Sequence, residues 1–357
     1  MTNLPEDWDA WMRDVGAESS FTQTSHWARI HEAINGAAPH CLELRDGDRR
    51  VAAALLGYRR QPIASIRDVA RAALRGRGGV LECFGGPVIA SAHPARALAR
   101  ILDDASALAA RLGAAGLVFT SPPPNATWLR DPDIEGTYAA QGYVCAPWMT
   151  ALVDIARPDA ALLASFRQSA RKGIRRCGEF GLAVRECRDA ADYVENFSRP
   201  LFATRRAFGL EAPAGRAERH WWHLDEARHY RYFMAFDRDG QVLGTLGTYR
   251  WNGVATEIMS ERTLPAREAH VPVQDLLHWH AFQVHRALGD RLFDLAGFNP
   301  NPGNEKEQGI RAFKEKWMGR PVAIPRFERM RDKLQYRLAR TLYRRLAPSP
   351  NGHQHAG

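Results

Sequence analysis

The chain has 357 residues, 45% hydrophobic and 25% charged, the balance of a soluble globular protein able to bury one large core or two ordinary ones. Its formal net charge of +9 favours polyanionic partners: RNA, nucleotide-linked substrates or anionic lipid head groups. Five scattered cysteines, odd in number and without a CxxC pair, argue against a disulfide framework or a structural zinc site.

The first half reads as mixed α/β. "EDWDAWMRDVG" predicts a short helix ending at Gly16, and "SHWARIHEAI" a second with Trp27, Ile30 and Ile34 as its apolar stripe. Two apolar runs around "RDGDR" predict a hairpin turning at Asp46-Gly47. "HPARALARILDDASALAARLGAAG" is an amphipathic helix with a glycine stop. A buried strand, "LVFTSP", follows it, and "GYVCAPWMTALVDI" is further strand material. The opening "MTNLPEDWDAWMRDVG" is too polar for a secretory signal, and "VAAALLGY" is too short to span a bilayer, so a cytoplasmic protein is expected.

The second half repeats the programme. "DAALLASFRQSARKGIRRCGEFG" predicts one long helix, "LAVRE" a strand, and "DYVENFSRPLFATRRAFG" another helix. Three antiparallel strands over residues 231–263 turn at "DRDGQ" and "RWNG", and then "VQDLLHWHAFQVHRALGD" and "RLFDLAGF" give a helix and a strand. Both halves thus contain Ala-His, a long helix, a glycine and a buried strand. This predicts an α/β (α+β) fold of two tandem units, residues 1–155 and 156–325. Residues 326–357 predict a basic helix, with Leu334, Leu338 and Leu342 in one row, then a disordered tail. Peripheral contact with the anionic inner face of a membrane is one use of such a helix.

Charge patterning singles out residues 162–176. As one helix, Leu162, Phe166, Ala170 and Ile174 form an apolar row, flanked by a column of Arg167, Arg171 and Arg175 and by Lys172. Like charges at this spacing repel by a few tenths of a kcal/mol per pair, so a phosphate-bearing partner or acids elsewhere in the fold must offset them. No GxSxG elbow, P-loop or HExxH motif occurs. His278 and His280 of "LHWHAF" lie on different helix faces, so no metal is expected.

The order "FTQTSHWARI", "LLASFRQSARKGIRRCGEFGLAV", "GTLGTYRWNGVATEIMS" and "FDLAGF…GIRAFKEKWMG" resembles the Fem family, the aminoacyl-tRNA-dependent transferases that build peptidoglycan bridges, over most of residues 20–325. The resemblance implies two acetyltransferase-like (GNAT) units and transfer of an acyl group to an amine-bearing cell-envelope precursor. It implies an aminoacyl-tRNA or acyl-CoA donor, with no tightly bound cofactor. It places the Phe313-Lys314 pair beside the acyl donor, with Trp317 where a second Phe is usual, and basic residues on the helix opening the second unit at Arg171, Lys172 and Arg175, which with Arg167 are the candidate phosphate-binding cations. Trp27 matches the family's N-terminal Trp, and His31 stands where relatives that act on nucleotide-linked muramyl peptides carry Lys.

From these expectations the chemistry follows. Lys314 would stabilise an oxyanion or hold a donor phosphate, and Phe313 and Trp317 would stack on a base or ribose. Asp294 and Glu257, placed where strand ends should converge, are the acids for accepting the amine proton. An N-acyltransferase for an amino sugar in exopolysaccharide assembly, and a non-catalytic tRNA- or envelope-binding protein, remain the alternatives.

Overall fold

The computed structural model describes residues 4–59, 79–120, 122–208 and 229–330. Two helices come first, α1 (Trp8–Asp14) and α2 (Ser25–Asn35). Thr24 starts α2 by accepting from the Trp27 amide at 3.2 Å, and Gly36 ends it with φ +63°. The expected hairpin follows as β1 (Ala38–Asp46) and β2 (Arg49–Arg59), against which β3 (Val80–Phe84) and β4 (Val88–Ile89) also pair. Next, α3 (Pro94–Arg111) crosses over to β5 (Gly116–Thr120), which runs parallel to β3. α4 (Asp133–Ala140) and β6 (Val144–Ala146) complete this stretch.

β7 (Met149–Asp154) starts just after β6 but belongs to the other sheet. After it come α5 (Asp159–Ser165), α6 (Gln168–Glu179), β8 (Ala183–Glu186) and α7 (190–207), whose middle turn Tyr193–Ser198 is π-helical. The three expected antiparallel strands are β9 (Tyr230–Phe236), β10 (Val242–Trp251) and β11 (Val254–Arg262). α8 (Leu264–Glu268) and α9 (Val273–Ala287) lead to β12 (Leu292–Asp294), which lies parallel to β11. The described chain ends with α10 (Glu305–Glu315), β13 (Arg320–Ala323) and β14 (Arg326–Met330).

The strand orders are β1-β2-β3-β5-β14-β6, with β4 beside β2, and β13-β7-β12-β11-β10-β9-β8. The two sheets repeat one plan. Antiparallel strands lead to a parallel pair bridged by a helix, β3 and β5 across α3, β11 and β12 across α9. In each sheet the next strand is antiparallel and arrives from elsewhere in the chain: β14 beside β5, and β7 beside β12.

Alternation along β9 divides the second sheet's two faces. Phe233 and Ala235 pack with Phe166, Leu277 and Trp317 under α6, α9 and α10. Tyr232 and Met234 pack with Phe197 of α7 and with Trp8 and Phe21 of the N-terminal segment.

Two expectations are corrected. Residues 326–330 form a strand, not the start of a helix, because Phe327 is buried in the first sheet's core and stacks on Tyr138 with ring centroids 3.7 Å apart. The remainder of the expected basic helix and tail, 331–357, lies outside the described residues. The long helix expected over 159–181 is two helices, broken where Phe166 and Arg167 adopt extended backbone. The break turns Phe166 onto Phe282 and Trp317 and lets the Arg167 amide donate to the Lys316 carbonyl at 2.9 Å.

α6 meets α9 at Gly173, where an added Cβ would sit 1.8 Å from an Asp275 carboxylate oxygen. Asp275 is itself ion-paired to Lys316. Gly173→Ala gains up to about 1 kcal/mol of helix propensity. It should nonetheless lower stability by about 1–3 kcal/mol through overpacking, read as a lower denaturation midpoint.

Candidate active site

The carboxyl ends of both parallel pairs converge on one cavity of about 460 Å³. Phe84 ends β3 and Pro122–Asn125 follow β5, while Thr256–Met259 come from β11 and Asp294, Ala296 and Gly297 from the end of β12. β11 and β12 pair over only three residues, Val254–Thr256 against Leu292–Asp294, and then part. Their parting exposes Glu257 and Asp294 to the cavity. A β-bulge opposite Gly247 and Thr248 adds one residue to β11 here. Phe21, Trp27, Tyr249, Trp251, Ile258 and Met259 make the walls mostly apolar.

Beneath that floor lies a buried polar cluster. Asp294 Oδ1 accepts from the Ala296 amide at 2.8 Å and from the Thr150 hydroxyl, which also lies 2.9 Å from the Ala296 carbonyl. Ala296 has φ +61°, a left-handed conformation costing a non-glycine residue about 1 kcal/mol or more, so its neighbours must hold it there. Lys314 supplies part of that hold: its Nζ donates to the carbonyls of Ala296 at 3.1 Å and Gly297 at 3.0 Å.

Burial raises Asp294 above the usual aspartate value, and Thr150, the Ala296 amide and Lys314 counter only part of the rise. Burial works the same way on Glu257, but His278 and then Lys314 outweigh it and hold this carboxyl below the usual glutamate value. Lys314 is lowered by burial, against the pull of Glu257 and Asp294. Two carboxylates on one cavity are thereby pushed in opposite directions, the arrangement that separates acid and base roles.

His278 is fully buried, and both ring nitrogens are engaged. Nδ1 lies 2.8 Å from the Gln274 carbonyl and Nε2 lies 3.2 Å from Glu257 Oε2. With Nδ1–H given to a carbonyl, the second contact is a hydrogen bond only while one proton lies between Nε2 and Oε2. The ring stacks on Trp317 at 5.6 Å.

The expected site residues are thus distributed unequally. Glu257, Asp294 and Trp27 line the cavity, and Lys314 lies just beneath them, 7% exposed. Trp317 is 1% exposed, and Phe313 packs on it and on His278, so this pair forms core beneath the cluster and not a platform for a base. Trp27 stacks between Phe84 and His31, which leaves His31 behind the wall in a separate small recess. Burial there drops His31 to about 4, with Arg59 adding to the fall.

Arg171, Lys172 and Arg175 are exposed on α6, on the face of the second sheet away from the cavity's aromatic wall. Arg167 sits at the helix start, 3.8 Å from Glu315. None of these four cations lines the cavity, whose single cationic lining residue among the described residues is Arg205 of α7. The column of cations expected to meet a phosphate-bearing partner is therefore not part of the cavity.

No protein-family model matches the chain, and no curated protein matches it in sequence. FemX is similar at a TM-score of 0.68 and 14% identity, aligning 97% of this chain with 99% of that one. The C-terminal domain of a putative lysylphosphatidylglycerol synthetase from Agrobacterium fabrum is similar at 0.56 and 16%, covering 93% of this chain and 95% of that one. A tandem GNAT protein from the clavulanic acid biosynthesis pathway is similar at 0.56 and 15%, covering 92% and 96%. The chain has the tandem GNAT fold. At these identities the likeness extends to the fold and no further.

Within this tandem GNAT fold, His278 and Arg205 are the residues that sequence reasoning passed over. His278 had a signal: Gln274, His278 and Phe282 recur every four residues on the inward face of α9, so polar groups stand where core is expected. Arg205 had none. A second histidine network, Thr248–His285–Asp290, has contacts of 2.8 and 2.9 Å, but all three side chains are sealed in the core and line no part of the cavity. Among the described residues no group of three or more His, Cys, Asp or Glu is placed to hold a metal, and no helix is long and apolar enough to cross a membrane.

Proposed function

We propose that the chain is an acyltransferase that forms an amide on an amino group, with Glu257 as the general base. The observation that carries this reading is a carboxylate held ionised by His278 and Lys314 at the edge of an apolar cavity, where two parallel strands part. The amine nitrogen attacks the acyl carbonyl, the bond to the donor oxygen or sulfur breaks, and the nitrogen's proton passes to Glu257. The mostly apolar lining keeps bulk water from competing for the acyl group.

The donor in this reading is an aminoacyl-tRNA. The net charge of +9 supports it, as do Arg171, Lys172 and Arg175, which have no carboxylate within ion-pairing range among the described residues. The acceptor is an amine-bearing cell-envelope precursor. This is in keeping with the resemblance to the Fem family and with the fold shared with FemX and a lysylphosphatidylglycerol synthetase domain.

Incubation with charged tRNA carrying a radiolabelled acyl group, and separately with acyl-CoA, tests the reading against a pool of amine-bearing precursors that includes amino sugars. Label transfer from tRNA, weakening steeply as salt rises, is the expected result. Salt-insensitive transfer from acyl-CoA reassigns the donor. Transfer from neither, with tRNA still bound, leaves a binding protein.

A further inference from the structure

We infer that the cavity is built for an amphoteric amine, a molecule with a primary ammonium at one end and an anionic oxygen group at the other. The inference deepens the acyltransferase reading, because it names that amine as the acceptor class.

Among the described residues three charged ones line the cavity: Glu257, Asp294 and Arg205. Each carboxylate keeps one oxygen without a hydrogen bond. Asp294 uses Oδ1 for Thr150 and the Ala296 amide, which leaves Oδ2; Glu257 uses Oε2 for His278, which leaves Oε1. Neither oxygen is among the described side-chain atoms sealed without a partner, so both open onto the cavity, where a ligand ammonium can reach them. Lys314 acts on both carboxylates through its charge, while the hydrogen bonds of its Nζ go to the carbonyls of Ala296 and Gly297.

The guanidinium stands at the other end. Arg205 Nε lies 3.9 Å from Glu261, which Arg267 already holds in a closer ion pair, so among the described residues no closer carboxylate takes up its N–H groups, which suit an oxyanion. Glu257 and Glu261 are separated by about three strand steps once the bulge is discounted, roughly 10 Å along β11, and Arg205 stands beside Glu261. Ile258, Met259 and Tyr249 line the interval, so the body between the charges is apolar. Carboxylate and phosphate share the chemistry that Arg205 recognises.

Isothermal titration of the intact chain with aminooctanoate, aminohexyl phosphate, octylamine and octanoate tests the inference. One or both amphoteric probes should bind at least about tenfold tighter than octylamine, the value of one charge-assisted contact. Octanoate should bind more weakly than any amine. The tighter of the two amphoteric probes identifies the anion. Arg205→Met should bring the amphoteric probes down to the affinity of octylamine, and the near-isosteric Asp294→Asn should weaken every amine. Octylamine binding as tightly as both amphoteric probes, an unchanged ratio in Arg205→Met, or no binding by any probe overturns the inference. Acyl transfer to octylamine as efficient as to either amphoteric probe also overturns it and leaves the acyltransferase reading intact. Amphoteric binding without transfer from tRNA or acyl-CoA does the reverse.

Discussion

Glu257→Gln should lower kcat/KM for acyl transfer by between about a hundredfold and ten-thousandfold, the range attached to a positioned general base. Glutamine keeps the shape of the side chain and can offer an N–H to His278 Nε2, so the buried cluster retains its contact while losing the proton acceptor. The pH profile carries an independent signature. Because Glu257 is more acidic in the fold than in the unfolded chain, wild-type activity should persist into acid beyond the ordinary glutamate range, and Glu257→Gln should flatten that limb. The same shift makes Glu257 stabilising above its unfolded value, a contribution lost as pH falls through the folded value. Asp294 has the opposite sign: its folded value is raised, so its contribution is complete below the unfolded value and disappears as pH rises through the folded one. A Glu257→Gln protein with wild-type kcat/KM would move the base to Asp294.

The placement of these two acids was legible in the sequence to a useful depth. Glu257 and Asp294 stand in "VATEIMS" and "RLFD", and parallel strands joined by a helix bring such ends to one side of a sheet. The hairpins, the helix-strand crossovers and the duplication were legible for a similar reason, since periodicity and turn chemistry are local. The break between α5 and α6 was not. It is held by the Lys316 carbonyl, which approaches from a segment far along the chain, and nothing in "LLASFRQSARKG" announces it. With the break, Arg167 leaves the helical column, and the remaining cations turn to solvent on the face of the sheet away from the cavity wall. The strand at 326–330 escaped because "RFERM" is basic and continuous with a leucine repeat, whereas its pairing partners, β5 and β6, lie in the other half of the chain. Long-range pairing decided both cases.

The direction of the Lys314 side chain was not legible either. "AFKEKW" places an ammonium near the site, but a helix alone does not say which way it points. Phe313 and Trp317, four apart, pack inward on His278, and Lys314 extends alongside them beneath the floor of the cavity. Lys314→Met tests what that placement means. Methionine keeps the apolar stem but removes the cation from two carbonyls and from two carboxylates that it steadies, in a site 7% exposed. Stripping the cation from such a cluster costs about 3–5 kcal/mol, so the urea midpoint should fall with the slope unchanged. Ala296 would also lose part of what holds its left-handed backbone, which loosens the wall shared with Asp294. The acidic limb of the activity profile should move to higher pH, because both carboxylates become less acidic without their neighbour. A fall in kcat with an unchanged unfolding midpoint and an unmoved acidic limb would instead return Lys314 to direct contact with the reacting carbonyl.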